Sequence, residues 1–342
     1  MPMAARSEDS VCVCIAAYNA EGTIARAITS ALQQAHVTEV IVVDDASTDA
    51  TANAAHRCDD GSGRLSVLDL EQNRGPSAAR NRALNQSRAG VFCVLDSDDY
   101  FLPGRIDRLL SADCGEWHFL ADDILILPED AGADTPGLQC SSTRPVLELD
   151  LPNFVLNNIS NPRRPRAELG FLKPLVRRKF LDTHMLRYEE NMRLSEDYAL
   201  YVRALMAGAK FKVAGFCGYV AVERANSLSS THSAADLAAV LAFDTVCSKS
   251  TSLTDAARQA LAAHQRATTD KWVLARALEI RRERGIVPAL HFLVRQPRNA
   301  GYVVSEILHA KYARLRLQFW GEQTDAPRRP RRLMGAELTG TG

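Results

Sequence analysis

At 342 residues the chain is long enough to bury a large core, as one extended α/β domain or as two or three smaller ones. Apolar residues make up 46% and charged residues 24%, with 41 bases balanced by 41 acids, so this is a folded soluble composition whose net charge names no partner. No apolar run approaches the ~20 residues of a membrane span, and Met1 to Ser10 lacks the apolar centre of a secretion signal. The expectation is a cytoplasmic protein that touches a membrane only from outside.

Val11 to Ala16 predicts a strand that ends at Tyr18-Asn19, and Ile24, Ala27, Ile28, Ala31 and Leu32 then recur at helical spacing. Val40 to Val43 is apolar throughout, as a parallel strand buried on both faces must be, and stops at Asp44-Asp45. Ser47-Thr48-Asp49 opens a second helix with cap-type residues. Leu65 to Leu70 predicts a third strand, Gly75-Pro76-Ser77 turns into a third helix, and Val91 to Leu95 is a fourth strand ending in Asp96-Ser97-Asp98-Asp99. Strand and helix alternate four times in about a hundred residues, the pattern of an open, mostly parallel sheet flanked by helices. From Pro128 to Asp150 the pattern lapses into a predicted surface loop, and Leu237 to Trp320 reads as largely helical. The expected divisions are 1–235 for the α/β part, 236–322 for a helical region, and 323–342 for a basic, disordered tail.

In open α/β sheets ligands bind at the carboxyl ends of the strands. Here Tyr18-Asn19, Asp44-Asp45 and Asp96 to Asp99 all fall at such ends. Asp96 and Asp98 suit a hard divalent cation, Mg or Mn, which takes oxygen ligands and completes its shell with phosphates. Asp44 and Asp45 suit a nucleobase or a ribose, with helix-terminal electrostatics as the plain alternative. Arg80 either faces phosphates or ties its helix to the acidic cluster. Glu196-Asp197 offers a carboxylate to take a proton from a hydroxyl, or is a solvated helical pair. The eight cysteines and eight histidines show no zinc spacing, so the cysteines read as small buried hydrophobes. Phosphate-loop, dinucleotide and esterase-elbow motifs are missing too.

Taken in order, Ile15-Ala16-Ala17-Tyr18-Asn19-Ala20, Asp44-Asp45-Ala46-Ser47-Thr48-Asp49, Asn73 through Asn81, Asp96-Ser97-Asp98-Asp99 and Ser195-Glu196-Asp197 resemble the motifs of family 2 glycosyltransferases. The resemblance runs over about residues 11 to 232. It implies a GT-A fold, a UDP- or other NDP-sugar donor, a divalent cation, and an inverting single displacement. By position it assigns Ala17, Tyr18 and Asn19 to the nucleotide, Asp45 to the base, Asp96 to the ribose, Asp98 to the metal and Asp197 to the catalytic base, with Glu196 beside it. The stretch Cys217 to His232 is similar to succinoglycan-type exopolysaccharide glucosyltransferases. That implies glucose from UDP-glucose, a lipid-linked oligosaccharide acceptor, and Arg224 or His232 closing over the diphosphate.

Arginines and lysines interleaved with apolar residues from Arg281 to Arg332 suit either contact with anionic lipid or solvated helices, and no aromatic platform supports nucleic acid. Two other classes remain. A nucleotidyltransferase making NDP-sugars would carry a glycine-rich phosphate loop that Val11 to Gly22 lacks. A non-catalytic sugar-nucleotide-binding module is disfavoured by the intact Asp98 and Asp197.

Overall fold

The computed structural model describes residues 8–129, 140–160, 167–223, 232–320 and 330–335. Its first part alternates as the periodicity requires: β1 (Val11–Ala17), α1 (Ile24–Leu32), β2 (Val37–Asp44), α2 (Thr51–His56), β3 (Leu65–Asp69), α3 (Pro76–Gln86) and β4 (Val91–Val94). β1 and β4 are covered on both faces, which is why they show no apolar–polar alternation. Ile24, Ala27, Ile28 and Ala31 of α1 are fully buried on the sheet. Each such aliphatic side chain of Ile size contributes roughly 1.5–3 kcal/mol. α2 begins later than its cap-type residues suggest, because the Asp49 carboxylate accepts from the Thr51 amide. Pro76 fits the first position of α3 because its missing N–H is one that a helix start leaves unused.

β5 (Tyr100–Phe101), α4 (Arg105–Leu110), β6 (Phe119–Pro128), β7 (Cys140–Leu149), α5 (Leu151–Leu156), β8 (Leu175–Arg177), α6 (Arg178–Thr183), α7 (Glu196–Met206) and β9 (Phe211–Glu223) follow. The strands form one mixed sheet in the order β3-β2-β1-β4-β8-β6-β9-β5, with β7 added to β9. Pairing is parallel through β3-β2-β1-β4 and between β6 and β9. β8, β5 and β7 pair antiparallel. The chain leaves β1 towards β2 and β3, then returns across β1 to β4. That reversal opens a crevice at the carboxyl ends of β1 and β4, where such sheets bind ligands.

The chain divides into two compact units, Met1–Arg224 with Pro330–Gly342, and Ala225–Arg329. The second is helical: α8 (Ala234–Ser248), α9 (Asp255–Arg284), α10 (Ile286–Val294) and α11 (Ala300–Trp320). Within it the buried His264 Nδ1 lies 2.6 Å from Asp244 Oδ2, tying α9 to α8.

Three sequence expectations change. Part of the expected loop from Pro128 to Asp150 is β7, an antiparallel partner of β9, in which Pro145 breaks no essential ladder bond because such positions lie at sheet edges. The tail expected to be disordered carries β10 (Arg331–Arg332), antiparallel to β6, with Leu333 buried and its amide bonded to the Ile124 carbonyl. The helical unit begins before residue 236, since a Ser233–Asp236 capping box starts α8. The thiols of Cys12, Cys14 and Cys93 are free and buried, as small core residues.

Candidate active site

At the crevice, the loops after β1 and β2 are stitched together by side chains that each strand end supplies. Asn19 adopts a positive φ of 49°, costly for a side chain other than glycine, and Ala46 does the same at 59°. Asn19 Oδ1 accepts from the Thr48 amide at 2.8 Å, and its own amide donates to Ser47 Oγ at 2.9 Å. The Asp44 carboxylate accepts from both the amide and the hydroxyl of Ser47. Ala17 is buried at the end of β1, and the Tyr18 ring beside it is exposed. The buried Asp45 carboxylate accepts from two successive amides, Arg74 at 2.8 Å and Gly75 at 2.7 Å. Asp45 therefore shapes the loop that leads into α3, where Gly75 has a φ of 86°.

On the β4 side, Asp96 to Asp99 form a tight turn. The Asp96 amide donates to Tyr219 Oη at 3.1 Å, and that hydroxyl donates to Asp99 Oδ2 at 2.7 Å. The Asp99 carboxylate also takes the Val222 amide, so β9 clamps the turn. Burial, reinforced by Asp96 and Asp98, pushes the Asp99 carboxyl well above the ordinary range. Arg26 on α1 holds the turn from the other side through the Asp98 carbonyl at 2.6 Å.

Opposite the turn lies a buried cation–carboxylate cluster. Arg80 of α3, only 4% exposed, donates from Nη1 to Glu196 Oε1 at 2.6 Å and to Asp197 Oδ1 at 3.2 Å, and from Nη2 to Asp96 Oδ1 at 3.0 Å. Lys173 Nζ reaches Asp197 Oδ2 at 2.7 Å and Asp96 Oδ2 at 3.2 Å. Two other elements hold the lysine in place. Arg105, itself paired with Asp122, donates to the Lys173 carbonyl at 2.6 Å, and Tyr201 of α7 donates to the Leu172 carbonyl at 2.9 Å. Among the described residues two cations, Arg80 and Lys173, face three carboxylates, Asp96, Glu196 and Asp197. Against burial, which opposes ionisation, Lys173 and Arg80 keep Asp96 below its ordinary range. Glu196 is raised, because burial and the neighbouring Asp197 outweigh Arg80. Both acids lie in the first turn of α7, where a helix favours negative charge, after Ser195 at a positive φ of 61°.

The structure brings together Asp96, Arg80, Glu196 and Asp197, and joins Asn19 to the Ser47–Thr48 loop. Arg80 ties α3 to the acidic cluster, the second of its two sequence readings, with its terminal nitrogens donating to three carboxylates. Both Asp96 oxygens are ion-paired, one with Arg80 and one with Lys173. Arg224 lies outside the described residues, and the exposed His232 belongs to the second unit. Lys173 carried no motif, and Tyr219 fell in the Cys217 to His232 stretch without a role of its own, so neither task was legible in the sequence.

A mixed sheet whose strand-end loops converge on one crevice, flanked by a caged carboxylate pair, is the GT-A architecture. The chain belongs to glycosyl transferase family 2, whose sequence model matches residues 12–123. It is 42% identical over 315 residues to the succinoglycan biosynthesis protein ExoU of Rhizobium meliloti (strain 1021), covering 92% of this chain and 91% of that one. Over 99 residues, 29% of this chain and 39% of the relative, it is 36% identical to UDP-Glc:alpha-D-GlcNAc-diphosphoundecaprenol beta-1,3-glucosyltransferase WfaP of Escherichia coli. The crystal structure of S. aureus TarS 1-349 in complex with UDP-GlcNAc superposes with a TM-score of 0.57 at 22% identity, covering 80% of this chain and 81% of that one. That likeness is one of fold.

Proposed function

We propose that this glycosyltransferase moves glucose from UDP-glucose onto a hydroxyl of a lipid-linked oligosaccharide in exopolysaccharide synthesis, with inversion, at the cytoplasmic face of the membrane. The observation that carries the reading is the Glu196–Asp197 pair across from the β4 turn, with Glu196 held by Arg80 and the buried Asp197 held by Arg80 and Lys173. An inverting displacement needs a carboxylate on the acceptor side, which the pair offers, and charge stabilisation on the leaving side, which a cation held at the acidic β4 turn would supply. The full-length likeness to a succinoglycan biosynthesis protein supports the pathway class, and the name of the shorter relative supports the donor and the diphosphate-linked acceptor.

In this reading Ala17, Tyr18 and Asn19 line the nucleotide, with the exposed Tyr18 ring free to lie against the base. Asp45 shapes the base pocket through the Arg74–Gly75 amides, and Asp96 faces the ribose. Asp197 takes the acceptor proton, because cations on both sides fix its orientation before the acceptor arrives. A second reading gives that proton to Glu196, favoured by its raised carboxyl. The resemblance also gives Arg224 or His232 a role at the diphosphate.

Asp98 is the residue that would hold a Mg or Mn ion. Its carboxylate is a hard oxygen donor at a strand end, the kind that a divalent cation takes together with phosphates and water. A bound cation supplies Lewis-acid stabilisation of the departing diphosphate.

The test is incubation with a panel of NDP-sugars and polyprenyl-diphosphate-linked acceptors, with and without chelator, reading product anomeric configuration by NMR. Retention of configuration removes the single displacement. Full transfer by Asp98→Ala in chelator removes the metal. Donor binding with neither transfer nor hydrolysis leaves a non-catalytic module.

A further inference from the structure

α10 is an apolar helix only half covered by its own unit. Its inner side is packed: Ala289 is 3% exposed, and Phe292 meets Trp272 of α9 edge-on with ring centroids 6.1 Å apart. On the other side Ile286 is 55% exposed, Val287 72%, Leu290 53% and Val294 77%. At about 100° per residue these four positions fall within roughly a 100° arc, so they form one continuous apolar stripe. α11 of the same unit repeats the pattern, with Val304, Leu308 and Tyr312 exposed one turn apart. A soluble surface rarely leaves such stripes open without a partner.

The ends of α10 say which partner. Arg281, Arg282 and Arg284 precede it, Arg295 and Arg298 follow it, and all five are exposed. Between Arg281 and Arg298 the sole acid is Glu283. Two copies joined through this face would bring two strongly basic rims together, which opposes self-association. An anionic bilayer matches both parts, with acyl chains for the stripe and lipid phosphates for the rim. No helix among the described residues is long and apolar enough to cross a membrane, so an interfacial pose is the one this face suits.

We propose that the helical unit docks on anionic phospholipid through α10, with Ile286, Val287, Leu290 and Val294 at the headgroup–acyl boundary and the flanking arginines on lipid phosphates. The contact is independent of the sugar-transfer reading, because it uses neither donor nor acceptor.

Purified full-length protein is sedimented with vesicles of phosphatidylcholine alone or mixed with phosphatidylglycerol, over a range of salt, without substrates. The protein is expected to bind the mixed vesicles at least about tenfold more tightly and to release them as salt screens the arginines. Arg282→Gln and Arg284→Gln are each expected to weaken binding about fivefold, and the double variant Val287→Asp/Val294→Asp to weaken it by about tenfold or more. All four side chains are exposed, so the melting temperature should stay unchanged and separate docking from folding. Equal binding to both vesicle types overturns the proposal, as does full binding by the double aspartate variant. A lipid-free dimer that the same two aspartates dissociate assigns the face to a second copy and overturns it too.

Discussion

Lys173 Nζ stands 2.7 Å from Asp197 Oδ2, so a buried lysine from an irregular segment fixes an acid in the first turn of α7. The same ammonium reaches Asp96 at 3.2 Å, joining the end of β4 to the far side of the crevice. Its proton affinity is raised: Asp197 and then Asp96 outweigh burial, which alone would lower it. The lysine is therefore a fixed cation whose job is to position carboxylates.

Lys173→Met should leave the buried Asp197 carboxylate without its nearest cation. Breaking a buried pair in this way costs about 3–5 kcal/mol. Lys173→Arg should restore most of the stability, and any loss of turnover that remains reports on the placement of Asp197. Urea unfolding of both variants beside kcat and KM makes the check. An unchanged midpoint for Lys173→Met would show that the ion pair contributes nothing.

Asp197→Asn should cut turnover by ~10²–10⁴, the usual loss when a positioned base is removed. UDP affinity should stay near normal, because the described partners of Asp197 are Arg80 and Lys173. Glu196→Gln should slow transfer less. A dead Glu196→Gln beside an active Asp197→Asn would transfer the role of base to Glu196.

The raised Glu196 carboxyl makes a separate pH prediction. The folded protein holds this proton to a higher pH than the unfolded chain does. The group's contribution thus favours folding below the unfolded value and is lost as pH rises through the folded one. Glu196→Gln keeps an oxygen for Arg80 but cannot ionise, so its stability should fall less across that interval. Chemical denaturation of both proteins at successive pH values gives the difference, and parallel curves would contradict the raised carboxyl.

Asp45→Ala removes the acceptor for the Arg74 and Gly75 amides, leaving buried donors unsatisfied at a cost of about 1–3 kcal/mol. If Asp45 serves the nucleotide as proposed, UDP binding should weaken more than turnover slows. Calorimetric titration with UDP measures the first effect and thermal melting the second. A stable variant with unchanged UDP affinity would show that the loop holds its shape without Asp45.

The sequence by itself determined the β1–β4 half of the sheet and the crevice it makes. Runs such as Val40 to Val43 announce burial on both faces, and the polar residues that stop them must lie at strand ends whatever the neighbours. It also indicated Glu196-Asp197, as an acidic pair in a helix-compatible stretch whose role came from the family resemblance. Tertiary structure alone decided what Arg80, Asp96 and Lys173 do. Arg80 meets Glu196 and Asp197 across 116 and 117 positions of chain, and Lys173 meets Asp197 across 24. Periodicity records only which face of one segment is covered. It carries no trace of which distant charge arrives opposite, because that depends on β8 docking beside β4 and on α7 entering the same crevice. β7 and β10 escaped for a related reason, since their strand character comes from pairing with β9 and β6 rather than from an apolar run of their own.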